Sequence, residues 1–274
     1  MARLLDLNDY VESGDGFTAI SYNHKDGTRM MKLYSDFIPA SVPERELSLA
    51  NAVNAMGIRT PRALDVVTDG RRTGVEFERI VGKQSFARAI SNDPDSLARY
   101  AADFAAECRK LHGTPCRTDL FPSAASVFAG ETARCRYLSD DEKNRLLAFL
   151  DSVPDAETCL HGDMHIGNIL TTDSGTYWID LADFAYGCPL FDFGMFRFLL
   201  SFSTGQMIGD LFHITGMQFR RVWDIFTAEY FQGTMTLEEI EAAVAPYAAF
   251  YLVKFSNRDS EIPGMHEYIA EHFI

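Results

Sequence analysis

The run LHGDMHIGNIL, residues 160 to 170, sets two histidines, an aspartate and an asparagine close together ahead of an apolar stretch. His161, Asp163 and His165 alternate, so on an extended strand all three point to one side and could share a divalent metal, as in a zinc-dependent hydrolase. A different chemistry follows from the five-residue interval between Asp163 and Asn168. That interval suits a phosphoryl-transfer loop, with a carboxylate base followed by an amide that ligates metal.

The flanking sequence favours the second chemistry. NILTTDSGTYWID reads as strand, turn at TDSG, and strand, which returns Asp180 beside Asn168. Magnesium prefers oxygen ligands and keeps several waters, so one amide oxygen and one carboxylate suffice as the protein's share. Asp163, upstream of both, is then placed to accept a hydroxyl proton as the oxygen attacks a γ-phosphorus.

Other elements must hold these groups. GFTAISYNH and TRMMKLYS are β-compatible and separated by KDG, a tight-hairpin signal. SVPERELSLANAVNAMGI reads as a helix starting near Pro43 and stopping at Gly57, followed by strands at 63–67 and 74–80 about the turn TDGRR. Beyond IVGKQS the pattern turns helical. Leu97, Tyr100, Ala101, Phe104, Ala105, Cys108 and Leu111 hold the helical period, with Asp93 before Pro94 as the expected cap. Ser139 with Glu142, and Thr236 with Glu239, have the spacing of capping boxes. The expectation is an α+β chain with a β-rich N-terminal lobe, 1–81, and a larger helical lobe, 82–274, that carries the hairpin, with Gly82 as a hinge.

Lys32 lies mid-strand in MMKLY, opposite in facing to Met31 and Leu33, and an inward lysine needs a carboxylate or phosphate partner. Glu44 and Glu46 on the following helix are the available acids.

Composition bounds the function. The 274 residues are 47% hydrophobic and 23% charged, as in ordinary globular proteins. Asp and Glu number 39 against 25 Lys and Arg, and the net charge of −14 repels a phosphate backbone, which argues against nucleic acid as partner. The same charge draws cations and hints at a cationic substrate. The N-terminus does not look like a signal peptide, and the apolar run AAVAPYAAFYLV is too short to span a bilayer and is interrupted by Pro246, so no membrane role is expected. Five cysteines without a CxxC pair suit reduced thiols in a cytoplasmic protein.

HGDMHIGN together with IDLAD and PLFDFG resembles the aminoglycoside phosphotransferase and choline kinase family, over most of the chain. The resemblance implies a bilobal protein-kinase-like fold. It implies that His161 braces the loop, that Asp163 is the catalytic base, that Asn168 and Asp180 hold Mg2+, and that Asp192 supports the loop structurally. It favours Glu46 as the partner of Lys32 on the nucleotide phosphates, places GDGFTAI with Gly14 and Gly16 over those phosphates, and puts main-chain groups from Glu78 to Ile80 at the adenine. The reaction implied is transfer of the ATP γ-phosphoryl group, with GTP as the alternative donor, to a hydroxyl of a small molecule. A cationic amino alcohol or aminoglycoside fits the charge as acceptor, and Phe196, Trp223, Tyr230 and Tyr251 could wall its pocket, although aromatics so spaced are more often core.

Three other readings compete. The zinc reading lacks a further histidine cluster. In a protein kinase the loop would carry arginine at the position of Gly162, and only twelve positions separate Asp180 from Asp192, too few for a peptide-docking segment. A nucleotide-binding scaffold without turnover has no degenerate position to support it.

Overall fold

The computed structural model describes residues 2–15, 19–39 and 41–273. In chain order the elements are β1 (Arg3–Leu4), β2 (Tyr10–Asp15), β3 (Ala19–His24), β4 (Arg29–Tyr34), α1 (Ser41–Ala55), β5 (Ala63–Thr68), β6 (Thr73–Glu78), β7 (Gln84–Ser85), α2 (Phe86–Asn92), α3 (Leu97–His112), α4 (Ala124–Arg134) and α5 (Asp140–Ser152). There follow β8 (Cys159–Leu160), β9 (Ile169–Thr172), β10 (Gly175–Trp178), β11 (Ala185–Tyr186), α6 (Leu190–Phe202), α7 (Gly205–Phe212), α8 (Gly216–Phe231), α9 (Leu237–Arg258) and α10 (Met265–His272).

The chain divides into two compact units, one of residues 1–84 with 169–182, the other of residues 85–168 with 183–274. The first is β-rich and the second helical, as the α+β reading expects. The boundary differs from the expected 81/82, and the β9–β10 hairpin, expected in the helical lobe, groups with the β-rich unit. Side chains and backbone explain the difference. The Arg59 guanidinium donates to the Ser174 carbonyl at 2.7 Å and to the Tyr177 hydroxyl at 2.6 Å, and the Trp178 amide donates to the Arg59 carbonyl at 2.8 Å.

In the β-rich unit a six-stranded sheet runs β1-β5-β6-β4-β3-β2, antiparallel except for the β1–β5 pair. The expected KDG hairpin joins β3 to β4 in the register Ala19↔Tyr34 to Asn23↔Met30. Alternation along β4 sends Met31 and Leu33 into the core, both fully buried, and leaves Lys32 on the other face. Helix α1 packs its Ala50 and Val53 side against β5 and β6.

In the helical unit, α3 packs on α8, and α9 on α6 and α4. Gly194 makes the α6–α9 approach possible, since a Cβ there would lie 2.7 Å from the Tyr247 backbone. The expected boxes Ser139/Glu142 and Thr236/Glu239 both form, and Thr215/Gln218 adds a third at α8. The helix opened by Thr236 runs through Pro246, as α9, and the burial of Val244, Ala245 and residues 247–254 outweighs the cost of the missing N–H. Asp93 makes no side-chain cap, because Pro94 opens a separate 3-10 turn and α3 begins only at Leu97. Phe196, Trp223 and Tyr251 are fully buried core rather than pocket walls, and the Tyr230 hydroxyl is engaged by His112 at 2.8 Å. Among the described residues no helix is long and apolar enough to cross a membrane.

Candidate active site

Strand β8 pairs with β11 through Leu160↔Ala185 and Cys159↔Tyr186, and delivers the chain into the loop 161–168. The loop is built by side chains bonding its own backbone. His161 Nδ1 accepts from the Asp163 amide at 3.3 Å, and His165 Nδ1 accepts from the Gly167 amide at 3.1 Å. The Asn168 amide nitrogen donates to the Asp163 carbonyl at 2.9 Å and to Asp163 Oδ2 at 3.1 Å. Asp163 and Asn168 are therefore in contact across the interval that first marked them.

Burial opposes ionisation of Asp163. The positive fields of His165 and His161, the Asn168 hydrogen bond and the Lys254 ammonium outweigh it and hold the carboxyl below its usual range. The side chain stays 27% exposed, so the carboxylate is open to a ligand.

Asp192 lies beneath the loop with no solvent exposure. Its carboxylate accepts from the His161 amide at 2.8 Å, the Gly162 amide at 2.7 Å and His112 Nε2 at 3.0 Å. With Nε2–H donating, His112 Nδ1 is the acceptor for the Tyr230 hydroxyl. Asp192 thus touches the backbone of the loop and not its chemistry. The Tyr251 hydroxyl donates to the Gly162 carbonyl at 3.2 Å.

Two further charges at this loop were not identified from sequence. Lys254, on α9 and nearly buried, pairs with Asp183 at 2.8 Å, and Arg258, one turn later, reaches the same carboxylate oxygen at 3.5 Å. Gly162 has φ of 79° and lies against Asp183, whose carbonyl oxygen would be 2.0 Å from any Cβ. The only advance signal was the i, i+4 spacing of two cations on one helix face.

In the β-rich unit Lys32 Nζ lies 3.3 Å from Glu46 and 3.9 Å from Asp180, the pairing with Glu46 rather than Glu44 that the resemblance favours. Asp180 adopts φ of 59°, a left-handed conformation that aspartate tolerates better than most residues. The Tyr34 hydroxyl donates to the other oxygen of Glu46. Burial, with the negative fields of Glu46 and Asp180, pushes that phenol well above its usual pKa.

These residues line a cavity of about 530 Å³, with Met30, Leu49 and Phe77 among its apolar walls. Lys83, which sequence reading passed over, also lines it, and burial together with the nearby Arg79 charge lowers its pKa. Glu78 and Ile80 are close in sequence to two lining residues, Phe77 and Lys83, but their own contacts differ. The Glu78 amide is spent on the Arg62 carbonyl at 2.9 Å, and Ile80 is buried. Gly14 sits in β2 beside a bulge, and Gly16 lies outside the described residues.

Asn168 belongs to the helical unit and Asp180 to the β-rich unit. With its N–H groups turned to Asp163, Asn168 offers its amide oxygen, and Asp180 offers a half-exposed carboxylate. Such hard oxygen donors suit Mg2+. The zinc arrangement does not form, because His161 and His165 spend Nδ1 on loop amides, and among the described residues no group of three or more His, Cys, Asp or Glu could hold a metal ion.

A sequence model described as the phosphotransferase enzyme family matches residues 13–222. No curated protein sequence matches the chain. Among solved structures, a choline/ethanolamine kinase family protein from Mesorhizobium loti superposes with a TM-score of 0.57 at 16% identity, over 96% of this chain and 85% of that one. The aminoglycoside phosphotransferase APH(3'')-Id from Streptomyces rimosus, in complex with ADP and streptomycin, gives 0.57 at 17% identity, over 88% and 92% of the two chains. A thermostable mutant of APH(4)-Ia, in a ternary complex with ADP and hygromycin B, gives 0.62 at 12% identity, over 96% and 92%. With residues 13–222 matched, the chain belongs to the phosphotransferase enzyme family, and it shares the fold of these kinase structures over most of its length.

Proposed function

We propose that the protein transfers the γ-phosphoryl group of ATP to a hydroxyl of a small molecule, with Asp163 as the base. The observation that carries this reading is the fixing of Asp163 by Asn168, which holds Oδ2 and leaves Oδ1 to meet an acceptor hydroxyl. The acceptor proton passes to that oxygen as the hydroxyl oxygen bonds to the γ-phosphorus, and ADP departs with the electrons of the broken P–O bond. A carboxylate with a lowered pKa is a weak base, so its main contribution is orientation, which suits a loose transition state.

On this reading the cavity of the β-rich unit takes the nucleotide. Lys32, held by Glu46 and aligned by it, meets the phosphates, and the apolar walls around Phe77 take the base. Asn168 and Asp180 are the ligands for Mg2+, which supplies charge neutralisation of the phosphates when bound. Gly14 and Gly16 over the phosphates, and Glu78 to Ile80 near the base, belong to the same reading through the family resemblance.

The net charge of −14 supports an ammonium group on the acceptor, as in an amino alcohol or aminoglycoside, since it raises the local concentration of cations. The test is ADP release by the purified protein with ATP or GTP and Mg2+ over a panel of hydroxylated metabolites, amino alcohols, sugars and aminoglycosides. Turnover by the parent and its loss in Asp163→Asn is the expected result. Ammonium-bearing acceptors should lose apparent affinity as salt rises from low to physiological, and neutral sugars much less.

A further inference from the structure

The C-terminal ends of α4 and α9, with the residues just after them, border a second, solvent-open cavity of about 410 Å³, lined by Arg134, Arg136, Tyr137, Asn257, Arg258 and Asp259. In a chain with a large excess of acid, this lining sets three guanidiniums against one carboxylate. The Arg134 guanidinium is steadied by Glu131 at 2.6 Å, that of Arg136 by the Tyr137 hydroxyl at 2.6 Å, and that of Arg258 by Asp183 at 3.5 Å. The Asn257 amide nitrogen anchors the same wall on the Glu131 carbonyl at 2.9 Å. Each guanidinium carries five N–H donors, more than these contacts use, in a fork that matches a carboxylate or phosphate.

The cavity is joined to the reacting loop by short links. Arg258 and Lys254 both reach Asp183 Oδ2, and the Asp183 carbonyl packs against Gly162, the residue before Asp163. Arg258 lies one helical turn, about 5.4 Å, beyond Lys254 along α9.

We infer that this arginine-lined cavity is an oxyanion subsite of the acceptor site, so that the acceptor carries a carboxylate or phosphate group as well as its reacting hydroxyl. The inference rests on the reading of Asp163 as the base. It adds an acid group to the ammonium that the overall charge favours, which makes the acceptor class a hydroxylated zwitterion or hydroxy acid. Arg134, Arg136 and Arg258 bind the oxyanion, and the placement of that group directs the hydroxyl toward Asp163.

The test uses acceptor pairs that differ by one acid group, ethanolamine with serine for the carboxylate, and glycerol with glycerol 3-phosphate for the phosphate. Within at least one pair the acid-bearing member should have the higher kcat/KM, by about 10-fold or more, the worth of a charge-assisted hydrogen bond. Arg136→Ala and Arg258→Ala should raise KM for that member at least about 10-fold more than for its counterpart, with Arg258→Lys restoring part of the loss. A second measurement needs no turnover. Inorganic phosphate or acetate should raise the melting temperature of the parent more than that of the Arg134→Ala/Arg136→Ala variant. Equal kinetics within both pairs, with equal effects of the substitutions on both members, overturns the subsite, as does an equal melting shift in parent and variant. Turnover unaffected by Asp163→Asn is a different result, and strikes the base assignment instead.

Discussion

The carboxylate of Asp192 accepts the amide hydrogen of Gly162 at 2.7 Å, joining the start of α6 to the loop that carries Asp163. Its other oxygen takes the His161 amide and His112, so one buried side chain fixes two successive peptide groups ahead of the base. Asp192→Ala should therefore lower the unfolding free energy by about 3–5 kcal/mol, the cost of leaving buried donors without their charged acceptor. Urea denaturation measures this. A loss below about 1 kcal/mol would show that the loop holds its own shape.

Gly162→Ala tests the other side of the same loop. The left-handed φ costs a side chain about 1–2 kcal/mol, and the added Cβ meets the Asp183 carbonyl, with a further cost of about 1–3 kcal/mol for overpacking. Destabilisation of that order is expected in thermal or urea melts. A variant as stable as the parent would mean that Asp183 moves freely away from Gly162.

Asp163→Asn should lower kcat by at least about 10²-fold while the nucleotide Kd stays within about 3-fold of the parent's, because it removes a proton acceptor and not a phosphate contact. Single-turnover phosphoryl transfer and nucleotide titration separate the two effects. Near-normal turnover would remove Asp163 from the role of base.

Lys32→Ala should weaken nucleotide binding about 10- to 100-fold through loss of a charge-assisted contact. Asp180→Ala should abolish the Mg2+ dependence of that binding, since it removes a charged oxygen ligand. Calorimetric titration with and without Mg2+ reads both, and unchanged binding in either variant would contradict the assignment of that residue.

His266, on α10, pairs with Glu142 of the α5 capping box at 2.7 Å. The hydrogen bond to Glu142 raises the His266 pKa, and although burial opposes it, His266 and Ser139 together lower that of Glu142. The raised histidine contributes stability that is present below about pH 6.5, its unfolded value, and fades as pH rises through the folded pKa. The lowered glutamate contributes stability present above about pH 4.3 and lost as pH falls through its folded pKa. The melting-temperature difference between the parent and His266→Ala should be greatest between about pH 4.3 and 6.5 and shrink on both sides. A pH-independent difference would leave the pair without a role in stability.

What the sequence by itself determined lies within a few residues of chain. The Asp163–Asn168 contact, the capping boxes at Ser139 and Thr236, the KDG and TDSG hairpins and the facing of Lys32 all follow from local spacing and backbone period, which fix directions before any packing occurs. Motif resemblance extended this to the partner of Lys32 and the supporting place of Asp192. Only tertiary structure decided that His112 shares Asp192 with the loop, that Arg59 carries the β9–β10 hairpin into the β-rich unit, and that arginines of α4 and α9 line one cavity. These outcomes depend on contacts between residues tens to more than a hundred positions apart, as from Arg59 to Ser174 and from Asn257 to Glu131. Such contacts leave no periodic trace in the sequence, because their geometry exists only once the intervening chain has folded.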